Sequence, residues 1–510
     1  MPKRNQPELD VKEFDDGDEN ESVNEEEEEE EMFDKNKLQE LKEKDPDFYE
    51  FMLKNDPTMF QEEEVNDEEM GWTMPDTEEQ GDLATTQQVI ENAKKGNDSA
   101  LLQSVLLFVD AVQEKRIETA SDYEAIMTFA VDELPKLIKS KKGMFKIYMR
   151  GVVLALKNID EPTILHVFID IIKENADKYA ISDSYSKCIS SLSVFAFNYK
   201  SVLRNIAIET MMAVIKASRK DENRMEKSLR IIFGNYMKSC KQFSRNTSDL
   251  FNESQQFIKK ISLFNMKATY NILFEYIRNI ALSTKNCNTD LNAFKSVCSF
   301  GCIKTFEIIA ICLKSNVDEK VTQLYHPFCQ LLCGLLNFVK GITHFPVVLH
   351  FIQILNSVVS EKLFVSPIPP ILVAFEQLSQ IKPKPSSAEQ GSSKKSKKEY
   401  EEIDFSYSLQ ISKEETRNSD FIVSATNALI KELTNYFNIF NKSIALPELA
   451  CQCISSLKKI TKQCKIVVLN NKINTFIQKL NKNIEVIKQK RNGIDFGPFD
   501  VTKVMEFESN

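Results

Sequence analysis

The chain has 510 residues and a formal net charge of −10, with 13 glycines, 4 histidines and 11 cysteines. Glycine is well below its usual ~7% share, and there is neither a GxxxxGK loop nor a GxGxxG turn to cradle phosphate. His166, His326, His344 and His350 are too few and too scattered for a metal hydrolase or a histidine-based triad; no cofactor or small-molecule substrate is expected.

The charge is split along the chain. Residues 1–90 hold 32 acidic and 8 basic side chains, a net −24, which leaves +14 on the other 420. Residues 1–84 read as an acidic, mostly disordered arm, with seven glutamates in a row from Glu25 to Glu31. Inside it KDPDFYEFM places Phe48, Tyr49, Phe51 and Met52 close together. Asp45 is a good N-cap, Pro46 suits the first helical position, and Phe48 and Met52 share a face. Residues 38–53 are therefore expected to form a short docking helix. It is too short to stand alone, so it would anchor on this chain's own body or on a partner.

From 85 to 381 apolar residues recur every three or four positions, as in Leu101, Leu102, Val105, Phe108, Val109 and Val112. Breaks are expected near Ser121, Ser140–Gly143, Asp160–Pro162, Ser182, Arg219–Asn223, Ser244–Thr247, Lys285–Thr289 and Ser315–Asp318. This spacing predicts an all-α fold, a HEAT/armadillo-like helical-repeat solenoid. Two runs, Val321–Val339 and Gly341–Ser360, contain no Asp, Glu, Lys or Arg. Their Thr, Gln, His, Asn and Pro residues argue against a membrane span, and both are expected to be helices buried on most sides. Cys298/Cys302 and Cys329/Cys333, four apart, read as core thiols on one helix face. The cysteines form no metal-spaced pair, and no apolar signal segment opens the chain, so a reducing compartment is expected.

Residues 382–404 form a polar Lys/Ser-rich linker or insertion. Its Lys394, Lys395, Lys397 and Lys398 are either a nuclear-import signal or a solvated loop. From 405 to 494 come an extended segment and three helices that continue the solenoid. Phe405, Tyr407, Leu409 and Ile411 are expected on one side of the extended segment. The helices are expected at about Ser419–Asn441, from Pro447, and at Val467–Lys490; 495–510 is a tail. Leu457, Ile460 and Cys464 should face inward, which leaves Lys458, Lys462 and Lys465 exposed. Ten basic residues and one acidic residue lie between Lys458 and Arg491. This is either a solvated face or a surface for RNA or another acidic partner.

Seven stretches stand in order along nearly the whole chain: LKEKDPDFYEFM in the arm, YNILFEYIRNIAL, LYHPFCQLLCGLLNFV, FPVVLHFIQIL, FVSPIPPILVAFE, FSYSLQISKEETRN and ALPELACQCISSLKKITKQCK. Together they resemble the nucleolar complex protein 2 family. None is a catalytic motif. The resemblance implies a non-catalytic helical-repeat scaffold of the nucleus, nucleolus and nucleoplasm. Such a scaffold acts in maturation and intranuclear transport of 60S (large ribosomal subunit) precursors. It also implies partners of the nucleolar complex protein 1 and nucleolar complex protein 3 type. Many relatives carry a long Lys-rich extension before the acidic arm; here only Pro2-Lys3-Arg4 stands there, which adds weight to the 394–398 cluster as the import signal. The residues alone fit two other roles as well: a histone-binding chromatin or transcription regulator, and a HEAT-type transport receptor. Sedimentation with large-subunit precursors separates these.

Overall fold

Asn97, Thr119, Asp221, Asn265, Ser299 and Asp318 each stand immediately before a helix. The side-chain oxygen of each accepts a hydrogen bond from a backbone N–H of the first turn. These caps satisfy donors that a helix start otherwise leaves open. Pro162, Pro346 and Pro447 occupy first-turn positions, where a missing N–H costs nothing. The structure is a computed structural model that describes residues 86–113, 115, 119–285, 291–316, 318–339, 341–360, 365–383, 402–497 and 499–509. The arm, with its expected docking helix at 38–53, and the lysine cluster at 394–398 lie outside the described residues.

The helices are α1 (Thr86–Lys94), α2 (Asp98–Val112), α3 (Ala120–Asp132), α4 (Leu134–Ile138), α5 (Lys142–Asn158), α6 (Pro162–Glu174) and α7 (Ala176–Ile181). Next come α8 (Tyr185–Phe197), α9 (Arg204–Ser218), α10 (Glu222–Ser239), α11 (Ser248–Ser262), α12 (Met266–Thr284), α13 (Leu291–Val297) and α14 (Phe300–Ser315). The last are α15 (Glu319–Gln323), α16 (Tyr325–Phe338), α17 (Phe345–Val358), α18 (Ile368–Gln380), α19 (Ser419–Ile439), α20 (Leu446–Gln463), α21 (Val467–Arg491) and α22 (Val501–Ser509). Among the described residues there is no strand, and the fold is all-α. Among the described residues no single helix is long and apolar enough to cross a membrane.

Each long helix packs on helices one to four places away in the chain. Thus α2 meets α5, α8 meets α9 and α10, α10 meets α12, α14 meets α17, and α19 meets α21. Two apolar cores result, one drawn from residues 93–358 and the other from 345–487. They meet at α17. Its Val347, Phe351, Ile354 and Leu355 belong to the first core, while Phe345, Leu349 and Ile352 belong to the second. This explains the charge-free run Gly341–Ser360: nearly every side of α17 is inside. The other run differs from expectation. Residues 321–339 form two helices, and α16 buries only Phe328, Cys329, Leu332 and Leu335. Its His326, Pro327, Gln330 and Asn337 are exposed. Uncharged polar side chains are well solvated, so absence of charge does not imply burial.

The cysteine reading also needs correction. Cys298 and Cys302 do not share a helix face, because α13 ends at Val297 and Ser299 caps α14 between them. The ten described cysteines are free thiols. Burial pushes Cys188, Cys312 and Cys453 up to about 12, which keeps them protonated and unreactive.

Close packing of α2 against α5 depends on Gly151. A Cβ there would stand 2.7 Å from Cε1 of Phe108 and 3.0 Å from Cγ2 of Val109. Phe108 is fully buried, with the rings of Tyr148 and Phe168 5.4 and 5.8 Å away. Gly334, in the middle of α16, has nothing within 4 Å of the same position.

Residues 402–411 form a strap that returns across the fold. Asp404 caps one 3-10 turn, Phe405–Tyr407, rather than the fully extended start expected. Phe405 and Ile411 are buried, with Tyr407 and Leu409 partly so and Ser406 and Gln410 exposed. The Phe405 ring lies 5.1 Å from that of Phe345 and 6.0 Å from that of Phe421. Tyr407 stacks on Phe243 at 5.7 Å, and Arg245 pairs with Asp404 at 3.1 Å. The Ile411 N–H donates to the Thr343 carbonyl at 2.8 Å. The strap thereby touches both cores. Residues 501–509, expected as tail, form α22; its Glu508 accepts from the Ser443 hydroxyl at 2.8 Å and the Ile444 N–H at 3.2 Å.

Candidate interaction surfaces

The buried polar groups act as ties between helices. Arg204 is buried; its guanidinium donates to Glu253 at 2.8 Å, the Leu250 carbonyl at 2.9 Å and Ser254 at 3.2 Å, joining α9 to α11. Arg224 of α10 donates to the carbonyls of Ala180, Ile181 and Ser182, closing the open end of α7. Tyr236, Gln255, Glu307 and Lys304 form a chain: Gln255 Nε2 donates to Tyr236 at 3.0 Å and to Glu307 at 2.9 Å, and Lys304 Nζ reaches both Glu307 oxygens. Among the described residues no group of His, Cys, Asp and Glu could hold a metal ion.

His350 sits on α17, with the Phe300 ring 6.2 Å away. Burial holds it below the ordinary 6.5, and burial lowers His344 too. Both are neutral in the fold and gain protons on unfolding, so their contribution is complete above the ordinary histidine range and is lost as pH falls through it. The melting temperature is expected to drop between about pH 7.5 and about pH 5.5. A His344→Gln, His350→Gln variant should show a smaller drop; an equal drop would place the acid sensitivity elsewhere.

Among the described residues two surfaces stand open. One is an apolar groove of about 600 Å³ between α12 and α16, lined by Tyr270, Phe274, Ile277, Leu324, Pro327 and Leu331. Phe274 is 45% exposed and stacks on Tyr270. Periodicity misses this groove, because both helices also supply core residues and only the packing shows which faces remain open.

The other surface is basic and belongs to the last helices. On α20 and just past its end, Leu457, Ile460 and Cys464 are buried, while Lys458, Lys459, Lys462 and Lys465 are exposed. On α21 the buried row runs through Leu469, Ile473, Phe476, Leu480, Ile484 and Ile487. Lys479 and Lys482 are exposed, and the half-buried Lys472 donates to the side-chain oxygen of Asn427 on α19. That bond brings Lys431, one turn along α19 from Asn427, to the same side; sequence reading left Lys431 out because it lies on another helix. Arg491, in contrast, is held by Glu448 at 2.8 and 3.0 Å.

The model of the Noc2p family matches residues 223–510, more than half of the chain and all of these surfaces. The chain belongs to the Noc2p family. An uncharacterised family member of Schizosaccharomyces pombe is 21% identical across 96% of this chain and 74% of its own length. Nucleolar complex protein 2 of Drosophila melanogaster is 19% identical across 69% of the chain and 45% of its own length. Nucleolar complex-associated protein 2 of Arabidopsis thaliana is 22% identical, over 46% of the chain and 30% of its own length. This Noc2p-family chain thus spans less than half the length of the fly and plant relatives it matches.

Proposed function

We propose that this chain is a non-catalytic scaffold of the nucleus and nucleolus. It acts in maturation and intranuclear transport of large-subunit precursors, with partners of the nucleolar complex protein 1 and 3 type and contact with pre-rRNA. Family membership carries this reading, and two relatives are named for a nucleolar complex. Serial packing of helices on chain neighbours supports a HEAT/armadillo-like solenoid, an architecture that offers long surfaces to partners. In this reading the acidic arm is a tether. Phe48, Tyr49, Phe51 and Met52 are its anchor, as aromatic hot spots are in helix-in-groove contacts.

The test is to sediment a tagged chain at moderate salt and identify the copurifying proteins and RNAs. Co-migration with large-subunit precursors is expected. Phe48→Ala with Phe51→Ala should weaken capture of the partner scaffold at least tenfold, without changing the melting temperature of the body. Co-migration with histones alone would favour a chromatin role, and an unchanged partner yield would make the aromatics incidental.

A further inference from the structure

On α21, Lys472, Thr475, Lys479 and Lys482 follow one another at steps of three and four, which places them on a single helical row. On α19, Asn427, Lys431, Thr434 and Asn438 do the same. The rows meet where Lys472 bonds Asn427. Carboxylates on these helices are turned away or engaged. Glu432 is buried and accepts from Asn356 Nδ2 at 2.8 Å. Glu485 takes Lys488 at 3.1 Å, and Asp420 lies in the first turn of α19, before the row begins. Among the described residues none of the four lysines has an ion-pair partner, in contrast to Arg491 with Glu448.

We propose that this two-helix face binds the phosphate backbone of a nucleic-acid duplex. It sharpens the pre-rRNA contact of the proposed function to one surface and one form of ligand. Three features select that ligand. First, the cations are interleaved with Asn side chains, whose amides donate to phosphate and sugar oxygens and fix register without reading sequence, and with Thr434 and Thr475, whose hydroxyls donate to the Ile430 and Asn471 carbonyls and keep their oxygens free to accept from a sugar hydroxyl. Second, the face has neither arginine nor an exposed aromatic: the aromatics of α19 and α21, Phe421, Tyr436, Phe437 and Phe476, are all buried. Base stacking, on which single-strand binding relies, has no platform here, and bidentate base contacts have no guanidinium. Third, an acidic protein segment would need a pocket for an apolar anchor, and the rows offer only the isolated Val486 at one end. The lysine row from 472 to 482 spans about 15 Å at 1.5 Å per residue. A duplex presents roughly nine phosphate charges over that length, enough to meet all four cations.

The experiment uses the purified full-length chain and fluorescence anisotropy. The probes are a 20-base-pair RNA duplex, the DNA duplex of the same sequence, and one RNA strand alone. Four phosphate contacts predict a roughly hundredfold loss of duplex affinity between 50 and 200 mM salt. Lys431→Gln with Lys479→Gln and Lys482→Gln should lower the salt slope by about three, with an unchanged circular dichroism spectrum. The α20 variant, Lys458→Gln with Lys462→Gln and Lys465→Gln, should keep the slope. Tighter RNA than DNA duplex binding, or equal binding of both, supports the proposal, the first adding recognition of the A-form groove. Tighter binding of the single strand overturns it. So does flattening of the slope by the α20 variant alone, or displacement of the duplex by a polyglutamate peptide of equal charge. These readouts need no other nucleolar component, so failure of co-sedimentation and failure of duplex binding are told apart.

Discussion

Replacing Phe405 by alanine is expected to cost about 3–5 kcal/mol, the usual range for removing a buried aromatic ring. The ring sits edge-on between Phe345 and Phe421, so its loss leaves a hole that two rigid rings cannot close. Edge-to-face aromatic pairs add about 0.5–1.5 kcal/mol beyond area burial, and two such pairs vanish together. The loss also detaches the strap. Without Phe405, the remaining contacts are Ile403, whose N–H donates to the Ser424 hydroxyl, the half-buried Tyr407 and Leu409, the exposed Arg245–Asp404 pair and Ile411. Urea unfolding should show a lower midpoint, and limited proteolysis should open a new site between 402 and 411. Tyr407→Ala, at a more exposed ring, should cost clearly less. Equal effects of the two changes would mean that the strap is held as a unit rather than by its aromatic plug.

Gly151→Val should destabilise by about 1–3 kcal/mol, the range for overpacking a filled core. The new side chain would enter space held by Phe108, which is pinned by Tyr148 and Phe168 and cannot swing aside. Relief therefore requires moving α5 off α2. Gly334→Ala provides the opposite case. The backbone there is helical and the space beside it is open, so alanine should stabilise by up to about 1 kcal/mol through helix propensity. The two midpoints should move in opposite directions. A stabilised Gly151 variant would show that the helix crossing is looser than its geometry.

These two glycines also show what the sequence could reveal. Both sit mid-helix in apolar surroundings, and nothing local distinguishes the one under a ring from the one in the open. Short-range signals served better. Pro447 and the apolar row of Ile473, Phe476, Leu480 and Ile484 put the last helices within two residues of their positions, because caps and periodicity are local properties. The exposure of Lys458, Lys462 and Lys465 followed from the same periodicity. Contacts across distance were hidden. Pairing of Asp404 with Arg245 crosses 159 positions, and Lys431 joins Lys472 only through the packing of α19 on α21. The run 321–339 was misread because an uncharged surface and a core resemble each other in composition; α12 is needed to show which side of α16 stays open.

The double membership of α17 bears on how the chain is made. Synthesis runs from the N-terminus, so the first core can close on Val347, Phe351 and Leu355 before the residues for the other side exist. Phe345, Leu349 and Ile352 must then wait for Phe421, Ala425 and Leu429, some seventy to eighty residues later. At 5–20 residues per second that wait is roughly 3–17 s. During it, a nascent chain displays an apolar ridge that belongs to no finished surface. The Lys- and Ser-rich stretch between α18 and α19 lengthens that wait. The ribosome-bound half-molecule, rather than the finished protein, is therefore the species most in need of a chaperone.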